Sequence, residues 1–492
     1  MDIKMPQLKL PSVKKIRSYR PDFSFLKEIK EHWLDFLLYL TCGLPFLKIL
    51  PIPSDMQPYA FLVALAYLCV KSKKLSLSYY HQIIIWPFLL AAAVAVFDIF
   101  FDDSITWMML IRKCYNYASL FVVSLAMFNS FWKLGIREKW LKGIILLWLF
   151  VGLVQKFIDR QFLSFLVSNF RTSETRGVVS LASEPSFYGY VMVFFFVLAN
   201  EFKRHRFLYQ GICVFQIVAL GQSAVAIVYL AVFAIMFILK EAIKLPKDKP
   251  DVRKRKLIFG GIALGAMALG ILIVVVAMPN SRMVQLFRKL VGNLGKVRSL
   301  ADLYAVDQSV AERVEAIIIG FRGFVQNWGL PNGFGEIIID GKLFLRVMSG
   351  FGSVIYELGI AGLLVVIMTS WVLIKGTRNG FVYGGGIIII MFSAIQFGSP
   401  IFALALANAL YARGRSENIT VDAASYVKRI TDKLFPDIYE DEEDEAVQED
   451  EEYPQYEEYT EYEQYIDSED YEKYGEEEAH DEDDSQYRDD QL

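Results

Sequence analysis

The feature that most restricts this chain is a succession of apolar segments, each near the length of a bilayer-crossing helix, parted by short polar loops. A helix needs about 20 mostly apolar residues to cross the hydrocarbon, with roughly 17 to 25 common. Segments of this kind lie near 33–50, 57–71, 80–100, 106–130, 141–159, 185–200, 207–220, 223–240, 257–277, 350–374, 382–397 and 400–412. They read as an all-α polytopic membrane protein of about twelve transmembrane helices. The last two segments are short, and fit a re-entrant pair or tightly packed half-helices as well as full spans. The chain then divides into a basic N-terminal segment (1–32), a membrane domain (33–412) containing a long loop at 279–347, and a C-terminal tail (413–492).

Charge supports this division. From Asp437 onward there are 28 acidic residues against Lys473 and Arg488, which leaves 49 Lys and Arg facing 27 acids in the rest of the chain. A net of −4 therefore hides a basic body with an acidic tail. The basic residues fall in short runs between apolar segments, which argues against a nucleic-acid partner and for the charge bias that orients spans. "KSKK" (71–74), "WKLGIREKW" (132–140), "KRHR" (203–206) and "KLPKDKPDVRKRK" (244–256) mark the cytoplasmic side; "FDDS" (101–104) and "LGQS" (220–223) mark the outside. Both termini are then cytoplasmic. The first thirty residues lack the apolar core and small-residue cleavage site of a signal peptide. Cys42, Cys69, Cys114 and Cys213 lie in apolar segments without metal-site spacing.

Two segments fall outside the membrane. In the long loop, Met283, Leu286, Phe287, Leu290, Leu294 and Val297 share one helical stripe while Arg282, Arg288, Lys289, Lys296 and Arg298 lie on other faces, the pattern of a helix in the headgroup layer. Long loops translocate whatever their charge, so these cations do not disturb the topology. A further helix opens at "SVAE", where Ser309 and Glu312 have capping-box spacing, and runs to about Trp328. It stops at "GLPNGFG", where Pro331 and the glycines, Gly333 and Gly335 among them, shape a loop.

The other outer segment is "NFRTSETRGVVSLASEPSFYGY" (169–190). Ser183 suits an N-cap and Pro185 a first helical turn, so the helix that follows turns its backbone N–H groups and positive dipole end toward the side that carries Arg171 and Arg176. Arg313 adds a cation from far along the chain. Guanidinium is always charged and grips phosphate oxygens in a fork. Several such groups above an apolar body suit a phosphate or diphosphate head on a lipid tail. Plainer readings stand beside this one: interfacial anchors for Arg171 and Arg176, a first-turn acid favoured by the dipole for Glu184, and a purely structural cap at Ser309.

"R-x4-R-G…SEPSFYG", Arg313 followed by "NGFG", "YELGIAGLL" (356–364) and "LGQSAVAIVYL" (220–230) together resemble the O-antigen polymerase and ligase superfamily of membrane glycosyltransferases, over roughly residues 140 to 410. The resemblance implies a membrane glycosyltransferase of the GT-C type in a bacterial cytoplasmic (inner) membrane, acting outside the cytoplasm on undecaprenyl-diphosphate-linked oligosaccharide, with no metal or other cofactor. It gives Arg171, Arg176 and Arg313 the diphosphate, and Arg176 and Arg313 a catalytic part in its departure. The ligase branch carries a histidine where this chain has Met348. His32, His81, His205 and His480 all fall on or near the cytoplasmic side, so a polymerase is the better branch and a ligase the weaker one. Without histidine, a base for the acceptor hydroxyl would be a carboxylate: Glu184 first, for its place beside the arginines, then Glu336, Asp340 or Glu357. A lipid-linked oligosaccharide flippase is the alternative from another class. It lacks the expected internal repeat, although Arg112 and Lys113 are cations within a span. The acidic tail, with Tyr453, Tyr456, Tyr459, Tyr462 and Tyr465 at every third position, reads as disordered. It is either a solvated tail or a docking segment for chain-length, export or tyrosine-kinase partners.

Overall fold

Apolar sequence of this kind folds into helices because each backbone N–H and C=O then finds its partner within its own segment. A computed structural model describes residues 24–49, 54–72, 75–102, 105–172, 176–243, 282–293, 295, 298–339, 342–343, 348–393, 395–417 and 420–422. It is mostly helical. The helices are α1 (Ser24–Glu31), α2 (Trp33–Gly43), α3 (Tyr59–Val70), α4 (Gln82–Phe101), α5 (Trp107–Leu134), α6 (Glu138–Phe157), α7 (Pro185–Ala199), α8 (Arg206–Phe215), α9 (Ala224–Ile243), α10 (Arg282–Gly292), α11 (Leu300–Val306), α12 (Gln308–Gln326), α13 (Gly350–Gly376), α14 (Tyr383–Met391) and α15 (Pro400–Glu417). Four of them, α4, α5, α6 and α13, are long and apolar enough to cross a membrane. The segment expected at 257–277 and the acidic tail lie outside the described residues.

Strands are few. β1 (Ser76–Ser78) pairs antiparallel with β4 (Thr420–Asp422), and β2 (Ile338–Ile339) with β3 (Lys342–Leu343). Asn129 of α5 holds the other side of β1, accepting from the Ser76 N–H at 2.6 Å and donating to its carbonyl at 3.2 Å.

The helix at 400–417, read from sequence as a short or half span, is the centre of the bundle. Residues Ile401 to Leu410 are all buried, the pattern of a helix enclosed on every side. It packs along α5, whose Ser119 and Ser124 hydroxyls donate to the Gly398 and Ala403 carbonyls. Phe402 sits among Phe194, Phe351 and Phe397.

Helix starts follow local chemistry. Thr106 accepts from Met109 N at the head of α5, and Ser349 from Gly352 N at the head of α13. Two expected caps move. At α12 the cap is Asp307, accepting from Val310 N at 3.0 Å, and Ser309 lies inside the helix. The chain's capping box is instead Ser299 with Asp302, one helix earlier. There the Arg298 N–H, then the Ser299 hydroxyl and N–H, hold the Asp302 carboxyl below its usual range. At α7 the cap position is Glu184, with Pro185 at N1 as expected; the Ser183 hydroxyl is buried and has no partner. Proline at N1 has no N–H that would need an acceptor, and its fixed φ suits the first turn; no side-chain cap bond is made at Glu184.

α13 breaks at Gly359 (φ 60°, ψ −137°) and folds back enough to bring Gly362 against the Val354 carbonyl. Before the break, the Glu357 carboxylate is fully buried and accepts from Lys113 Nζ and, at 2.6 Å, from the Tyr117 hydroxyl, both on α5. Removing one member of such a pair leaves an uncompensated buried charge. Lys113→Met is expected to lower stability by about 3 kcal/mol, read by thermal unfolding in detergent. Lys113→Met/Glu357→Met together should cost less than Lys113→Met alone.

Candidate functional site

The segment between α6 and α7 is pinned by Gln155, in the last turn of α6. Its amide accepts from Ser180 N at 2.7 Å and donates to the Ser180 and Phe162 carbonyls, each at 2.9 Å. The Ser180 hydroxyl donates to the Trp148 carbonyl at 2.8 Å. Further along, Val178 N donates to the Leu220 carbonyl, and Gly177 lies so close to Gly221 that a side chain there would strike its carbonyl. Arg171 N donates to the Ser183 carbonyl at 2.8 Å, which brings Arg171 to the start of α7.

This folding opens a cleft of about 300 Å³ lined by Gln155, Lys156, Phe157, Ile158, Arg160, Arg176 and Val178. Arg160 braces it, donating to the Thr172 hydroxyl at 3.0 Å and to the Arg176 carbonyl. Three of the lining side chains are cations and none is a carboxylate. Lys156, in the last turn of α6, also complements the negative end of that helix. Phe157 and Ile158 beside it are 75% and 81% exposed, while Gln155 adds a polar group to the lining. A cleft with a cationic wall and a greasy lip can hold an anion attached to an apolar chain.

The expected site residues divide between two places. Arg176 lines the cleft; Arg171, Glu184 and Arg313 are not among its lining residues. They gather instead at the first turns of α7. Arg171 is exposed and 3.8 Å from Asp55. Glu184 stands at the cap position and accepts from the Ser186 hydroxyl. Arg313 of α12 donates to the Tyr190 hydroxyl at 2.6 Å. Among the other carboxylates, Glu357 is held by Lys113 and Tyr117, Glu336 is exposed, and Asp340 lies outside the described residues.

Gly333 and Gly335 differ. Gly333 takes the left-handed backbone (φ 75°), and a Cβ there would come 2.5 Å from Asp98 Oδ1; Gly335 is not in that region. Asp98 of α4 accepts from Phe334 N at 2.6 Å, so it cradles the loop. Sequence reading missed Asp98, Lys156, Arg160 and Tyr190. For Lys156 and Arg160 the available signal was two cations four residues apart at the end of an apolar segment. Asp98 and Tyr190 carry no such mark, since their partners are distant in the chain.

No family model matches the chain, and neither a curated protein nor a solved structure gives a significant match. The geometry therefore carries the functional argument alone.

Gly333→Ala is expected to cost about 1–3 kcal/mol, from the left-handed backbone and the clash with Asp98. Thermal unfolding of the purified variant beside Asp98→Ala checks it. Because both changes act on one contact, the double variant should fall short of the sum.

Proposed function

We propose that this chain is a metal-independent polysaccharide polymerase. It joins undecaprenyl-diphosphate-linked oligosaccharide units outside the cytoplasm, from a twelve-span body in the bacterial cytoplasmic membrane with both termini inside. The polymer is an O-antigen, a capsule or an exopolysaccharide. The observation that supports this reading is the cleft of Lys156, Arg160 and Arg176 with its exposed Phe157 and Ile158 rim.

In the reaction, an acceptor hydroxyl attacks the anomeric carbon of the lipid-linked donor. The new glycosidic C–O bond forms as the bond to the diphosphate breaks, and the diphosphate-lipid leaves with the electron pair. Charge grows on the leaving oxygen, and fixed cations oriented in advance stabilise it without reorganising. Arg160 and Arg176 present planar forks to the phosphate oxygens and Lys156 a point charge. Arg171 and Arg313, at the first turns of α7, position the sugar-bearing side of the complex. Glu184, at the cap position of α7, takes the acceptor proton as it leaves the hydroxyl.

The test is polymerisation by the purified protein in liposomes, given lipid-diphosphate-linked repeat units and read as a product ladder on a gel. Arg176→Ala and Arg160→Ala are each expected to slow ladder growth by about 10²-fold, and Arg313→Ala to slow it measurably. Glu184→Gln should lower the rate of ladder growth. Movement of the lipid-linked unit across the bilayer with no ladder would assign the cleft to a flippase.

A further inference from the structure

The helix that carries Arg313 has two faces with different neighbours. Ala311, Ala316, Ile319, Gly320 and Gly323 of α12 are buried. The two glycines let it lie directly on α13: a Cβ on Gly320 would come 2.7 Å from the Gly352 Cα, and one on Gly323 would strike the Tyr356 ring. Contacts that climb together in both helices mean that α12 runs parallel to the first turns of α13.

On the opposite face Val314, Ile318, Phe321 and Val325 are all exposed, as is Trp328. Val314, Ile318, Phe321 and Val325, spaced four, three and four residues apart, make one apolar stripe along α12, and Trp328 follows just past the helix end on left-handed backbone (φ 52°). Its far end is the most exposed, Val325 at 72% and Trp328 at 93%, with Leu330 just beyond. Water is a poor neighbour for such a stripe, and contiguous exposed apolar surface marks a partner or a membrane.

The position of that end decides between the two. Gly329, between Trp328 and Leu330, accepts from Ile360 N at 2.7 Å. Ile360 is 62% exposed and begins the outward apolar row of α13, which continues through Leu364, Ile367 and Trp371. α13 is one of the four helices suited to crossing a membrane, so this row is its lipid-facing side. The end of the α12 stripe meets this row at the Gly329–Ile360 hydrogen bond.

We propose that α12 is embedded in the outer leaflet, with its Val314-to-Val325 stripe against lipid acyl chains and Trp328 at the deep end of the element. The loop after it, irregular in backbone, is tolerated at that depth because protein satisfies it: Asn332 N donates to the Tyr356 carbonyl at 3.1 Å and Phe334 N to Asp98. Arg313, on the flank of the same helix, is then held at the membrane boundary. The inference rests on α13 being a membrane span and is independent of the reaction proposed above.

The experiment reconstitutes the full-length protein in phosphatidylcholine vesicles with brominated acyl chains, and subtracts the tryptophan emission of Trp328→Phe from that of the wild type. The difference isolates Trp328 from the other tryptophans. Loss of most of that difference emission in brominated lipid, with little loss to aqueous iodide, is the expected result. Iodide quenching that equals or exceeds quenching by the lipid puts Trp328 in water and overturns the proposal. Protection from both quenchers assigns the stripe to a protein surface, such as a second copy of this chain, and overturns it equally. Val325→Cys carrying a spin label, with oxygen and a water-soluble nickel chelate as relaxants, gives the same decision without touching the tryptophan.

Discussion

Irregular backbone in an apolar body survives only where something accepts and donates its hydrogen bonds. In this protein that requirement is concentrated at Gly359, where α13 breaks and leaves peptide groups without helical partners. The loop at 329–334 supplies them: the Gly329 carbonyl takes the Ile360 N–H, and Asn332 gives its own N–H and side-chain amide to the Tyr356 carbonyl. The loop in turn is seated by Asp98. One break thus fixes the course of α12 and the α12–β2 connection, while the adjoining Glu357 ties both to α5 through Lys113 and Tyr117.

The segment between α6 and α7 answers the requirement in a different way. It has almost no regular structure, and Gln155 stands in for a strand partner, using both ends of one side-chain amide on the backbone of Ser180 and Phe162. Because that amide comes from the last turn of α6, the wall bearing Arg176 is rigidly attached to the helix that ends in Lys156. Arg160 closes the third side through the Arg176 carbonyl. The Arg160 side chain and the backbone at Arg176 are tied to each other by a protein hydrogen bond, which fixes part of the wall in advance, as electrostatic stabilisation needs.

Much of the helical layout was legible in the sequence, because apolar runs and the breaks between them mark helix positions directly; Pro185 and the "GLPNGFG" stop are examples. The rank of the helices was not legible. The segment at 400–412 reads as a short span or half-helix, yet its residues form the core, since burial on all sides depends on which neighbours arrive and not on length. Capping failed at Ser309 because Asp307, two residues earlier, already puts a carboxylate acceptor on the Val310 N–H and leaves Ser309 inside the helix. Of the site, Arg176 was visible through its motif. Arg160 escaped because its bonds to Thr172 and the Arg176 carbonyl exist only once the segment has folded, and Asp98 escaped because its partner lies 236 residues away.

The lip of Phe157 and Ile158 has a consequence for supply. On the proposed reading, a ligand with its tail in the bilayer reaches the cationic wall sideways, by diffusion in two dimensions. Occupancy of the cleft then follows the number of ligand molecules per lipid and not their concentration in the surrounding water. Diluting the membrane with inert lipid would starve the protein even when the total amount of ligand is unchanged. Crowding the same molecules into a smaller patch would have the opposite effect.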